Sequence, residues 1–262
     1  MRHLGGTPAT VTITVNPIND APVVSAPGSA LSATEQTSLS IENAGFSVAD
    51  VDAGGTTATS TLAVGEGILT VVVGDSGVTI DSGDGTGTVT LSGRVSYIDR
   101  LLTGASTGTI TYFNGADAPS ASTTLTVTVN DGGGTGADPG LTGTATTEEG
   151  SNSVTINIAA DNDAPVIDTN ALTITEGGGV ILSAANLAAT DVDDADSGLI
   201  FTVSNVSGGQ FIRLSTGATL SSFTQADVTA GDVFFRHDGG EAAPGYDVSV
   251  SDGGLSDGPQ AA

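Results

Sequence analysis

Residues 9–15 alternate strictly, with Val11, Ile13 and Val15 on one side and Thr10, Thr12 and Thr14 on the other. A period of two marks a strand with one buried face, so 9–15 is predicted to be a half-buried strand. The same pattern returns at 124–129, where Leu125, Val127 and Val129 are expected to face inward, and at 154–158. Pro17 ends the first run. Between the runs lie clusters such as Gly54-Gly55, Gly83-Asp84-Gly85 and Gly132-Gly133-Gly134, which are turn chemistry. Many short strands with little helical periodicity predict an all-β chain of tandem antiparallel Greek-key β-sandwiches. One stretch departs from this. Val95, Ile98, Leu101 and Leu102 recur at helical spacing, which predicts one short helix capping an end of the first sandwich.

The pattern also repeats on a longer scale. Asn-Asp-Ala-Pro occurs at 19–22 and again at 162–165, each time between β-rich stretches. Glu35 follows Asp20 by 15 residues and Glu176 follows Asp163 by 13; Asp50-Val51-Asp52 and Asp191-Val192-Asp193 begin 30 and 28 residues after the same two aspartates. Asp131 and Asp252 each open an Asp-Gly-Gly. Acidic residues held at matched distances from a repeated linker are the signature of tandem modules that use those acids at their ends. The expected division is a closing strand and linker of a preceding repeat at 1–20, a first module at 21–163 and a second at 164–262. The second is expected to lack its last strand, since nothing after Asp252-Gly253-Gly254 resembles the closing run at 154–158, and the chain reads as an internal piece of something longer.

Composition narrows the function. The chain has five Lys and Arg together, against 30 Asp and Glu, for a formal net charge of -25. Nucleic-acid binding needs clustered cations and is excluded as a role, and an anionic membrane surface is disfavoured for the same reason. No apolar run is long enough to span a bilayer, so no membrane insertion is expected in this segment. Without cysteine there is no disulfide framework and no thiolate metal site. Short carboxylates in glycine-rich loops suit a hard, oxygen-ligated cation, and calcium is the expected one.

With linkers and acids aligned, the chain resembles the cadherin superfamily as found in large bacterial surface adhesins, an Ig-like sandwich class. Residues 21–163 look like a long cadherin-like adhesin repeat. Residues 164–262 resemble the cadherin-related repeat of chondroitin-sulfate proteoglycans, through Leu172-Thr173-Ile174-Thr175-Glu176-Gly177, through 187–193 ending in Asp191-Val192-Asp193, and through 223–228 followed by Arg236-His237-Asp238-Gly239. The resemblance implies calcium between consecutive modules. At the junction inside this chain it implicates Glu35, Asn162, Asp163, Asp191, Asp193 and Asp252. At the preceding junction it implicates Asn19, Asp20, Asp50, Asp52 and Asp131, and at a following one Glu176. The cadherin Asp-Arg-Glu motif has no counterpart, and Pro17 and Ala160 stand where the linker normally carries an Asp, with Asp161 one residue away. Fewer ligands imply one calcium per junction, at an extracellular affinity of roughly 10⁻⁴ to 10⁻³ M.

Rival chemistries have less support. Residues 133–138 fit one glycine-rich calcium nonapeptide, but a β-roll needs stacked copies, so a loop is expected. Residues 191–198 imitate an EF-hand whose twelfth position is Thr202 instead of a bidentate Glu. His3 and His237 are far apart and no nucleophile, base and orienting group converge, so no enzyme is expected. The reading is a structural stalk segment of an extracellular or cell-surface bacterial adhesin, calcium-stiffened at its junctions, mediating cell adhesion with neighbouring repeats as its partners. The alternatives are a module that binds a host or matrix glycan or protein through loops such as 74–87, or an accessory domain of a secreted enzyme. A glycan reader would be expected to expose some of Tyr97, Tyr112 and Tyr246.

Overall fold

The computed structural model describes residues 10–134, 136–137 and 148–262. His3, Ala9 and the Thr135 and Asp138 of the nonapeptide-like loop lie outside the described residues. The chain divides into two compact units, Met1–Ala159 and Ala160–Ala262, each with its own hydrophobic core. Both are built from β-strands in several sheets, in the sandwich class that the alternating runs predict.

The first unit runs β1 (Val23–Ser25), β2 (Leu31–Thr34), β3 (Leu39–Ser40), β4 (Ser47–Ala49), β5 (Ala58–Val64), β6 (Ile68–Val72), β7 (Thr79–Ser82), β8 (Thr88–Gly93), α1 (Val95–Leu102), β9 (Thr109–Phe113), β10 (Ser122–Asn130) and β11 (Glu149–Ala159). A six-stranded sheet in the order β2-β11-β10-β5-β8-β7 lies with a three-stranded one, β3-β9-β6, and a two-stranded one, β1-β4. Leu125, Val127 and Val129 of β10 are buried, as are Val154, Ile156 and Ile158 of β11, which is the expected alternation. Among the named strands pairing is antiparallel except between β11 and β2, where Ile156 meets Leu31 in parallel register. The helix occupies the predicted residues and buries Val95, Ile98, Leu101 and Leu102. Its Asp99 carboxylate accepts the Val48 N–H at 3.0 Å, fixing β4 just before the Asp50 loop.

The second unit runs β12 (Val166–Asn170), β13 (Gly179–Ile181), β14 (Leu187–Thr190), β15 (Ile200–Ser207), β16 (Gly209–Arg213), β17 (Ser222–Thr224), α2 (Gln225–Thr229), β18 (Val233–His237), β19 (Gly245–Ser251) and β20 (Ser256–Ala261). Its sheets are β17-β15-β19-β20, β13-β18-β16 and β12-β14. Phe201, Phe211, Phe223, Phe235 and Tyr246 pack into its core, with Phe211 edge-on to both Phe235 and Tyr246 at 5.0 Å between ring centroids. The five-residue α2 was not expected. Thr224 caps it in a reciprocal box with Asp227. Arg213 then holds Asp227 through both guanidinium nitrogens at 2.7 and 2.9 Å.

Two sequence expectations fail. Residues 10–15 form no strand, and Val11, Ile13 and Val15 are about four-fifths exposed. Alternation supplies a face to bury but not a partner, and among the described residues no strand pairs with this run. From Pro17 onward the chain does dock on the first unit, where Ile18 bridges Ala137 and the Asn19 N–H donates to the Ala137 carbonyl at 3.0 Å. The expected lack of a closing strand after Asp252 is likewise wrong, because β20 pairs antiparallel with β19. Its sequence, Ser-Asp-Gly-Pro-Gln-Ala, has no alternation because it forms a largely exposed sheet edge, the place where a sheet tolerates proline.

Candidate metal centre

In the first unit three loop ends converge. The residue before Asp20, Asn19, is 2% exposed, and its Nδ2 donates to Asp131 Oδ2 at 2.6 Å. The Asp20 N–H donates to Asp52 Oδ2 at 2.9 Å. Asp50 Oδ1 accepts the N–H groups of Asp52 and Ala53, both at 3.0 Å, an Asx-type turn that closes the loop on its own carboxylate. Asp131 Oδ1 accepts from the Gly133 N–H at 2.8 Å and from the buried Glu148 N–H at 2.9 Å. The five residues implicated at the preceding junction thus form two hydrogen-bonded sets, Asn19 with Asp131 and Asp20 with Asp52 and Asp50, joined through the Asn19–Asp20 peptide.

The second unit repeats this bond for bond. Asn162 Nδ2 donates to Asp252 Oδ2 at 2.8 Å, the Asp163 N–H to Asp193 Oδ2 at 2.8 Å, and the Asp193 and Asp194 N–H groups to Asp191 Oδ1, also at 2.8 Å. The Gly254 and Leu255 N–H groups complete the set on Asp252 Oδ1 at 2.5 and 2.7 Å. Carboxylate oxygens of Asp191, Asp194 and Asp252 all lie within 4.8 Å of one another.

At Asp131 and Asp252 these bonds occupy both carboxylate oxygens, whereas at Asp50 and Asp191 they occupy Oδ1 and leave Oδ2 without a partner. Asn19 Oδ1, Asp50 Oδ2 and Asp191 Oδ2 are buried with no hydrogen-bond partner. A buried acceptor without a donor, and above all a buried carboxylate oxygen, is costly unless something positive meets it. The Asp50 pKa records that cost: burial, with the Asp52 side chain beside it, pushes it up to about 6. Asp252 moves the other way, held below its ordinary value first by the Asn162 amide and then by the Gly254 and Leu255 N–H groups. Space is reserved as well, since a Cβ at Gly134 would overlap Asn19 Oδ1 and press on Asp52. Oxygen-only donors with unpaired lone pairs fit a hard divalent cation.

Within its own unit Glu35 lies away from the Asp131 group, and Glu176 is not part of the second unit's group. Glu35 is buried directly after β2, its N–H donating to Ala159 O at 3.0 Å, at the far end of β11 from Asp131. Glu176 lies on an exposed turn before β13. Three features escaped the sequence reading. Asp194 joins the second group, for which the Asp191-Val192-Asp193-Asp194 run was the available signal. Asp99 of α1 and Gln225 of α2 each brace the strand two residues before the Asp-Val-Asp loop. The Gln225 amide accepts the Ala189 N–H at 2.9 Å and donates to the Ala189 carbonyl at 2.7 Å.

The sequence of the second unit has a counterpart among known protein families. Residues 165–261 match a family described as Cadherin-like. The Cadherin-like match takes in the second unit from β12 to β20, with Asp191, Asp193, Asp194 and Asp252. Among solved structures the chain is similar to protocadherin gamma B2 extracellular cadherin domains 1–5, at 14% identity and TM-score 0.43, over 93% of this chain and 39% of that one. It is also similar to the human desmocollin-1 ectodomain, at 12% and 0.40 over 91% and 39%, and to human protocadherin-24 EC1-2, at 12% and 0.38 over 93% and 97%. A search of the curated proteins finds no match. No helix among the described residues is long and apolar enough to cross a membrane.

Proposed function

We propose that the chain is a structural stalk segment of an extracellular, cell-surface adhesin of bacterial type, whose consecutive modules are stiffened by calcium at their junctions. The observation that carries this reading is the pair of equivalent acidic groups with buried, partnerless oxygens at Asn19, Asp50 and Asp191. In the first unit Asn19, Asp20, Asp50, Asp52 and Asp131 would hold Ca²⁺, and in the second Asn162, Asp163, Asp191, Asp193 and Asp252, with Asp194 added. Glu35 is the proposed ligand contributed by the base of the first module to the second group, and Glu176 the corresponding one for a module that follows.

A bound cation supplies charge neutralisation and oxygen coordination; the residues supply the rest. Backbone N–H bonds fix the carboxylates of Asp50, Asp52, Asp131, Asp191, Asp193 and Asp252 before any ion arrives, so little of their conformational freedom is left to lose on binding. Without a cation the loop ends of adjoining modules repel one another, and with one they share a common counter-charge. At low cytosolic calcium the same chain would be less stable, because a ligand that binds the native state alone stabilises it. This suits export before folding.

The rival reading, recognition through loop 74–87, finds little in the aromatic side chains. Tyr112 and Tyr246 are buried in the two cores, and the partly buried Tyr97 lies under Arg94, at 5.6 Å from guanidinium carbon to ring centroid. Titration calorimetry of the chelator-treated chain tests the stalk reading. Two calcium-binding events are expected, one of them lost in Asp191→Asn/Asp193→Asn, since an amide keeps the shape but not the charge. Absence of binding at millimolar calcium overturns the proposal.

A further inference from the structure

The outward face of the sheet β13-β18-β16 has an order that the stalk role does not use. On β18, Val233, Phe235 and His237 point into the core, which leaves Phe234 and Arg236 on the other face. Cross-strand register places Gly179 and Gln210 on either side of Arg236, and Ile181 and Ile212 on either side of Phe234. The face therefore carries a polar row, Gly179-Arg236-Gln210, beside an apolar row, Ile181-Phe234-Ile212. The Phe234 ring lies over Gly179, where a Cβ would collide with it. Ile181 is 53% exposed.

Beside the polar row opens a cavity of about 490 Å³, lined by Gly177, Gly209, Gln210, Arg236, His237 and the Asp238-Gly239 turn. Its frame is rigid. His237 Nδ1 accepts the Gly177 N–H at 3.2 Å and the Gly239 N–H at 3.0 Å, so the ring proton sits on Nε2, 3.3 Å from the Ala242 carbonyl. One buried imidazole thus ties together the Gly177 and Gly239 turns that line the opening. The Asp238 carboxylate is turned back onto the Gly240 N–H at 2.8 Å.

The Arg236 side chain is exposed and makes no ion pair or hydrogen bond among the described residues, in a chain of net charge -25. The other described arginines are engaged: Arg94 with the Tyr97 ring, Arg100 with Asp75, and Arg213 with Asp227 and Asp232. A guanidinium fork is suited to bidentate recognition of a planar carboxylate. Gln210 adds a donor and an acceptor suited to hydroxyl groups, the glycine walls admit a bulky ring, and Phe234 with the isoleucines offers an apolar surface to its C–H face. The volume is of the size that takes a small ligand.

We propose that this face of the second unit is a binding site for an acidic saccharide, with a uronate carboxylate on Arg236 and the sugar ring beside Phe234. The test is a ¹⁵N-resolved NMR titration of the whole chain at fixed calcium. The probe is a tetrasaccharide alternating glucuronate with N-acetylhexosamine, and a neutral chitotetraose serves as comparison. Saturable shifts at Gly177, Gly209, Gln210 and 236–239 are expected with the acidic probe only. Arg236→Gln should weaken binding at least about tenfold, or roughly 1.4 kcal/mol, while leaving the core resonances in place. Gln210→Ala, on an exposed row, should weaken it without disturbing calcium binding. The proposal is overturned by an acidic probe that shifts nothing up to about 10 mM, by equal binding to Arg236→Gln, by equal binding of a tetraglutamate peptide, or by concentration-dependent shifts of the same residues without saccharide, which would assign the face to a second copy. Since calcium is constant throughout, failure here leaves the stalk reading untouched.

Discussion

Asp50 and Asp227 show how one residue type takes opposite electrostatic roles. Burial raises the Asp50 pKa from 3.8 to about 6, so its contribution to the stability of the cation-free protein is fully present below pH 4 and is lost as pH rises through about 6. Asp227 is held far below its ordinary value by Arg213 and the Thr224 cap, so its contribution is present above pH 4 and lost as the solution is acidified below that. In chelator, carboxyl-carbon NMR should therefore find Asp50 titrating near pH 6; a midpoint at an ordinary aspartate value would contradict the buried, partnerless oxygen. Asp50→Asn should raise the melting temperature of the first unit in chelator at pH 7 while removing its calcium response, a combination that a purely structural Asp would not give. Gly134→Ala should reduce calcium affinity at the first centre at least about tenfold, because the new methyl group lands on Asn19 Oδ1. The acids themselves were legible from their matched spacing. The reserved space at Gly134 was not, because a glycine needed for room reads the same as one needed for a turn.

At the scale of elements, legibility followed burial. β10, β11 and α1 could be read from the sequence because each buries one face, and the apolar period reports that face. β20 could not, because an exposed edge strand such as Ser256–Ala261 is fixed by backbone pairing to β19 and by polar bonds to Ile167 and Asn170, not by burial of an apolar face. The run at 10–15 shows the converse, a legible face with no strand beside it. α2 was missed because five residues carry too little periodicity; its signal was the Thr224 to Asp227 capping spacing. Both helices act on the centres through one side chain each. Gln225→Ala should cost about 1–3 kcal/mol by leaving the Ala189 N–H and carbonyl without partners, and should weaken calcium binding in the second unit while sparing the first. Leu101→Ala in α1 should lower the stability of the first unit by about 2–5 kcal/mol, as expected for a fully buried side chain. Chemical denaturation monitored by near-ultraviolet dichroism reads both, since Tyr112 and Tyr246 report the separate cores. Loss of calcium binding in both units on Gln225→Ala would refute the local bracing.

On the scale of the whole chain, the separate cores make each unit a module in its own right, and the bond-for-bond repetition of Asn19-Asp20-Asp50-Asp52-Asp131 in Asn162-Asp163-Asp191-Asp193-Asp252 argues that both were shaped for one task. A net charge of -25 disfavours the approach of acidic loop ends, which is why the proposed stalk role requires a counter-charge. Calcium should raise the thermal transitions of both units, and the increase should vanish in the second on Asp191→Asn/Asp193→Asn. The most direct test of the central claim is small-angle scattering of the wild-type chain in about 1 mM calcium and again in chelator. The account expects a narrower distribution of interatomic distances with a sharper outer limit in calcium, reverting when the ion is removed. Superimposable curves under the two conditions, with calcium shown to be bound, would contradict it.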